Sequence, residues 1–83
     1  MTREDVFLKV MEIIKPFVKD EESFQGANEG TNILQDLRVN SARLVDIILD
    51  FEDEFEIEVE DEDADSVNTV GDAVSLIMEK FAA

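Results

Sequence analysis

Apolar residues return along this chain at steps of three and four, the spacing of a helix with one buried face. Val6, Val10, Ile13 and Phe17 form the first such stripe. It predicts a helix over about residues 2–15, with Thr2 as N-cap and Glu4 and Asp5 in the first turn, where the helix dipole favours acids. A proline inside a helix costs about 3 kcal/mol, so Pro16 should end the regular helix near Lys15 and leave Phe17 and Val18 covering the core from an irregular exit. Asp20 to Gln35, broken by Gly26 and Gly30, reads as a long loop pinned by Phe24, Ile33, Leu34 and Leu37. Leu44, Ile47, Ile48, Phe51 and Phe55 then fall at i, i+3, i+4, i+7 and i+11, with Asp46, Asp50 and Asp53 turned away. They predict a helix over about 41–55 that starts at Ser41. Phe55 to Glu60 alternates with period two, but no second alternating segment exists to pair with it, so it reads as an extended connector. A short acidic helix over about 62–66 should follow. The last helix, over about 69–81, opens on Thr69 and Asp72 at capping-box spacing and carries Val70, Ala73, Val74, Ile77, Met78 and Phe81 on one face. Three long helices and one short one predict an all-α fold, a small antiparallel bundle forming a single domain over residues 1–83.

Composition limits what such a bundle can do. Eighty-three residues supply one small core and no cleft between two domains. The chain has no Cys, His, Trp or Tyr, which excludes imidazole acid–base work, a cysteine nucleophile, a zinc site with N or S ligands and a disulfide. The net charge of −15 repels nucleic acid and anionic lipid and favours a protein partner with a basic patch. That charge is uneven: residues 1–43 hold 8 acids and 6 bases, whereas residues 44–83 hold 14 acids and one base, Lys80. The first residues lack the layout of a secretory signal, and no apolar run approaches the roughly 20 residues of a membrane span, so a cytoplasmic monomer that is not inserted in a membrane is expected.

Candidate chemistry concentrates at Ser41. A serine just before an apolar-periodic run is most often an N-cap, worth about 1 kcal/mol, and a helix N-terminus also suits an incoming phosphate. As a nucleophile Ser41 would need a base, and no histidine or neighbouring lysine is there to serve. The chain is therefore expected not to be an enzyme, and Ser41 to be a site that another protein modifies. The acids have a rival use. Asp61, Asp63, Asp65, Thr69 and Asp72 fall at positions 1, 3, 5, 9 and 12 of a calcium loop, but Ser66 stands where the template needs glycine and Asp72 where it needs glutamate, so no metal site is assigned.

Three stretches carry a resemblance. Asp36-Leu37-Arg38-Val39-Asn40-Ser41-Ala42-Arg43-Leu44-Val45-Asp46, then Phe51-Glu52-Asp53-Glu54-Phe55-Glu56-Ile57-Glu58-Val59, then Asn68-Thr69-Val70-Gly71-Asp72-Ala73 resemble an acyl carrier protein. That family's pattern is D-L-G-x-D-S-L at the start of the second helix, E-E-x-F-x-I-x-I-P at its exit and T-V-x-D opening the last helix. From Asp36 to Ile77, about half the chain, the likeness runs without an insertion. The resemblance implies a carrier that holds acyl intermediates as thioesters on a 4′-phosphopantetheine arm, transferred from coenzyme A to Ser41, for fatty-acid, polyketide or related synthesis. It implies a phosphopantetheinyl transferase as partner, together with acyl-transferring and condensing enzymes whose basic docking patches meet Asp46, Glu52, Asp53, Asp61 and Asp65. It also implies an acyl pocket lined by Ile48, Leu49, Val59, Ala73 and Ile77. A protein without cysteine can present a thioester only on such a borrowed thiol.

Asn40 stands where the family has aspartate, Ala42 where it has leucine, Arg38 where it has glycine, and Arg43 where an acid is frequent. A divergent carrier is the reading that follows. The alternative is an acidic, non-enzymatic binding module, either responsive to divalent cations or a carrier-like chain that is never modified.

Overall fold

The Thr2 hydroxyl accepts the Asp5 backbone N–H (3.1 Å) while the Asp5 carboxylate takes the Thr2 N–H (3.3 Å). This reciprocal box starts α1 (Arg3–Ile14) in the computed structural model, which describes residues 2–82. The buried stripe of α1 runs through Val6, Val10, Met11 and Ile14, with Ile13 and Phe17 only half-buried at its edge. Lys15–Phe17 form a 3-10 turn with Pro16 inside it, where the missing N–H and fixed φ are tolerated.

The stretch expected to be a long loop contains a further helix, α2 (Glu21–Gln25). Asp20 caps it by accepting the Ser23 N–H at 3.1 Å, and Glu21 and Glu22 fill its first turn. Five residues are less than two turns, too few to print a periodic stripe. The Asp-Glu-Glu cap was the legible signal.

The major helix also begins later than expected. Ser41–Arg43 form a 3-10 turn and α3 spans Leu44–Phe55. The cap belongs to Asn40, whose side-chain oxygen accepts the Ala42 N–H at 2.9 Å, so Ser41 is not the N-cap. At the far end Glu56 adopts the left-handed conformation (φ 53°) that ends many helices, and residues 57–60 of the connector lie in neither helix nor strand, with Glu60 extended. Glu52 ties that connector back, its carbonyl accepting the Ile57 N–H (3.2 Å) and its carboxylate the Val59 N–H (3.1 Å). The short acidic helix, α4 (Asp61–Asp65), lies one residue earlier than expected, and α5 covers Val70–Ala82.

The start of α5 accounts for each of its first three backbone N–H groups. Val70 N–H donates to the Thr31 carbonyl (2.9 Å), Gly71 N–H to the Glu29 carbonyl (2.8 Å) and Asp72 N–H to the Thr69 hydroxyl (3.0 Å). The Asp72 carboxylate returns the favour to the Thr69 and Asn68 N–H groups, and these bonds hold its carboxyl below the usual range. A lowered folded pKa means that this cap stabilises fully above the ordinary aspartate range and is lost as pH falls through the folded value. Arg3 completes the clamp, its guanidinium bonding the Glu29 carboxylate (3.0 Å from Nε) and the Ser75 hydroxyl (3.0 Å).

Gly71 is where helix and loop meet most closely. A Cβ there would lie 2.8 Å from the Glu29 carbonyl oxygen and 3.0 Å from the Glu29 Cβ. Gly to Ala within a helix ordinarily gains up to about 1 kcal/mol. At this position it should instead destabilise by about 1–3 kcal/mol through overpacking against backbone, readable as a lower urea midpoint.

Around these anchors α1 packs chiefly against α5 and next against α3. Val6, Val10 and Ile14 meet Ile47 and Phe51 of α3 and Val70, Val74 and Ile77 of α5 in one core, and Ile33 and Leu37 plug it from the long connection. Among the described residues no polar or charged side chain is buried, which leaves every carboxylate and hydroxyl for the surface.

Candidate functional site

The backbone before Ser41 is bent by Arg38, which sits in the left-handed region at φ 57°. The bend lets Leu37 and Val39 both enter the core, with the Val39 N–H on the Ile33 carbonyl (3.3 Å), and returns Asn40 and Ser41 to the surface. A side chain in this region costs about 1–2 kcal/mol, of which glycine's extra unfolded-state entropy would take back a part. Arg38→Gly should therefore raise the melting temperature by a few degrees; a fall would show that the arginine side chain earns its place by contacts elsewhere.

Ser41 is exposed, and the serine does not stand alone. It opens a groove of about 280 Å³ whose α3 wall is Leu44, Val45, Ile48, Leu49 and Glu52, and whose facing wall is Val59, Glu60, Asp61, Ala64 and Asp65. Counting from Ser41, the apolar α3 residues come at i+3, i+4, i+7 and i+8, so one helix face carries a greasy track away from the hydroxyl. Val45 and Leu49 are 64% and 52% exposed, more than a core stripe would allow. This second stripe, beside the buried Ile47, Phe51 and Phe55, was the signal for Val45, a lining residue not named from the sequence. The groove lies just under the roughly 300 Å³ at which clefts for drug-sized ligands begin, and it suits a slender chain or a partner's side chain.

Of the residues expected at the site, the structure brings Ser41, Ile48, Leu49, Glu52, Val59, Asp61 and Asp65 onto this one groove. Ala73 and Ile77, expected on the acyl lining, are instead fully buried in the core. They occupy the inner face of α5, which packs on α1, and the open groove is walled by α3 and the α4 side. Asp46 and Asp53 lie outside the lining, and Asp46 takes an ion pair from Arg43 at 3.1 Å. Lys80, the one base of the second half, is committed to Asp63 at 2.9 Å. The Lys80 hydrogen bond, with the Glu60 backbone N–H second, holds the Asp63 carboxyl below its usual range. Asp53, Asp61 and Asp65 make no ion pair among the described residues.

The calcium-loop reading fails on geometry. Asp61, Asp63 and Asp65 lie on a helix, where alternate residues point about 200° apart and cannot converge on one ion. Among the described residues no three acids group to hold a metal.

Chemically the site offers an exposed hydroxyl, carboxylates and an apolar track, with no lysine or histidine among its lining residues. Comparison with known proteins gives this arrangement a context. The family of phosphopantetheine attachment sites matches residues 9–77. The acyl carrier protein of Lactobacillus acidophilus is 42% identical over 78 residues, covering 93% of this chain and 94% of the relative. That of Thermotoga maritima is 40% identical over 79 residues, covering 95% of each. The solved structure of acyl carrier protein from Enterococcus faecalis superposes with a TM-score of 0.78 at 39% identity, covering 96% of this chain and 99% of that one.

Proposed function

The chain belongs to the acyl carrier protein family and carries acyl groups on covalent 4′-phosphopantetheine, and from that premise we propose that Ser41 is the residue bearing the arm. The observation that carries this reading is the exposed Ser41 hydroxyl at the head of an apolar track, released from helix capping because Asn40 does that work. The arm's phosphate would leave Ser41 beside the first turn of α3, and the acyl end of the arm could rest along Val45, Ile48 and Leu49. Residues 1–83 act together as one carrier domain and perform no catalysis themselves. The transferase and the synthases supply the bases and nucleophiles that this composition lacks.

Partner recognition is read from the acids that line or flank the groove. Glu52, Asp61 and Asp65 stand on its rim and Asp46 and Asp53 to the side. Exposed pairs are worth about 0–1 kcal/mol each, so basic docking patches would be steered and oriented here without being trapped. Glu52 has a second duty in holding the connector, so its loss should cost stability as well as docking. No helix of the described residues is long and apolar enough to cross a membrane, and the reading keeps the cytoplasmic, monomeric state expected from the sequence.

The test is direct. The purified chain, incubated with coenzyme A and a broad-specificity phosphopantetheinyl transferase, should gain the mass of one phosphopantetheinyl group. A chain that stays unmodified with that enzyme and with every transferase of its own genome would overturn the reading in favour of a carrier-like binding module.

A further inference from the structure

Acids outnumber bases 22 to 7 in this chain, so each base has carboxylates to spare as partners. Arg3, Lys9 and Lys80 take them, with Glu29, Glu54 and Asp63. The other four bases, of which only Arg43 makes an ion pair among the described residues, collect at one end of the bundle. Lys15 and Lys19 lie on the exit from α1, and Arg38 and Arg43 flank Ser41 in the sequence. The Lys19 and Asp20 N–H groups both donate to the Leu37 carbonyl (3.2 and 3.3 Å), which places Arg38 next to Lys19 along the backbone. Lys19, Asn40 and Arg43 then share a cleft with Pro16, Phe17 and Val18. Lys15, Lys19 and Arg38 are exposed and make no ion pair among the described residues; Arg43 is 65% exposed and bonds only its helical neighbour Asp46. Nearby carboxylates make no ion pair with Lys15, Lys19 or Arg38 among the described residues. Asp20 is engaged in capping Ser23, and Glu21, which shares a hollow with Lys15 and Lys19, approaches neither within ion-pair distance.

The surface around Ser41 is therefore two-signed. Positive charge lies on the side of Lys19, Arg38 and Arg43, and negative charge begins at Asp46 and dominates through Asp65. Arg43 and Asp53 are ten residues apart, about 15 Å along the helix. We propose that the enzyme which acts at Ser41 presents a docking face with the matching sign change: carboxylates beside its active-site mouth, opposite Lys19, Arg38 and Arg43, and basic side chains farther out, opposite Glu52, Asp61 and Asp65. A uniformly basic face would meet like charge at the position closest to the reacting hydroxyl, where it disfavours the encounter most. A free polyanion does not fit, because the net −15 of the chain repels it and only an interface with both signs satisfies the whole surface. The inference rests on Ser41 carrying the arm.

The test uses each phosphopantetheinyl transferase encoded in the genome that encodes this chain, with coenzyme A and the full-length carrier. Initial rates of mass gain are compared for wild type, Arg38→Gln with Arg43→Gln, Arg38→Lys with Arg43→Lys, and Lys9→Gln as a distant control. With the transferase that modifies wild type best, the double glutamine variant should lose about tenfold or more in kcat/KM, mainly through KM, and the loss should shrink with added salt. The double lysine variant should keep most of the rate and Lys9→Gln nearly all of it. Melting curves establish that the variants are folded. If wild type is modified but the double glutamine variant reacts as fast or faster, the two-signed face is wrong while the carrier reading stands. If no transferase modifies wild type, the carrier reading falls and takes this inference with it.

Discussion

Phe51→Ala should bring this chain close to its unfolding threshold. Phe51 is among the largest fully buried side chains, and it meets Phe55 edge-to-face with ring centroids 6.5 Å apart, while Phe55 in turn meets Phe81 at 5.8 Å. Removing a buried phenyl costs about 3–5 kcal/mol in lost transfer energy and cavity, and a chain of this size commands only roughly 4–12 kcal/mol in all. The damage is concentrated on α3, the helix that carries the apolar track and follows the 3-10 turn of Ser41. Urea denaturation should show a midpoint reduced by about half, and slower modification of Ser41 should accompany it under conditions that partly unfold the variant. A midpoint within a tenth of wild type would mean that α3 is held by something other than this aromatic seam.

The same side chain illustrates what was readable from sequence. Phe51 belongs to a stripe of period 3.6 long enough to leave no ambiguity, and the three long helices, the all-α bundle and the Thr2 and Thr69–Asp72 caps all emerged from such local patterns. What escaped was short or non-local. The five residues of α2 complete too little of a period to be seen, and only their capping group announces them. Ser41 and Asn40 are both good N-caps by type, and which of them does the capping depends on a 3-10 turn that no residue pattern specifies. Arg38 and Glu56 occupy left-handed positions that glycine would normally mark, so composition hid two bends that the path of the chain requires. At the site, a residue's presence on an apolar helix stripe does not say which wall it faces: Ala73 and Ile77 share the stripe of α5 but point into the core, whereas Val45 lies off the core stripe of α3 and reaches the groove. The charge asymmetry was visible as a count. That four of the six bases of the first half gather at the Ser41 end depends on the long connection folding back against the exit from α1, which is a matter of tertiary structure.

The largest functional effect is expected at Ser41. The chain has four serines, and the other three have different surroundings. The Ser66 hydroxyl donates to the Asp63 carbonyl at 2.7 Å, the Ser75 hydroxyl accepts from Arg3 at 3.0 Å, and half-buried Ser23 lies in the first turns of α2. Only Ser41 combines exposure with a place at the head of the groove. Ser41→Ala should fold as wild type does, since its hydroxyl takes no part in the cap, so a loss of modification could not be blamed on a loss of structure. Ser66→Ala and Ser75→Ala serve as matched controls that should remain fully modifiable.

The decisive measurement is the intact mass of wild type, Ser41→Ala, Ser66→Ala and Ser75→Ala after incubation with coenzyme A and a phosphopantetheinyl transferase. The account predicts one added phosphopantetheinyl group on every chain except Ser41→Ala, which should show none; the same gain on Ser41→Ala would contradict it.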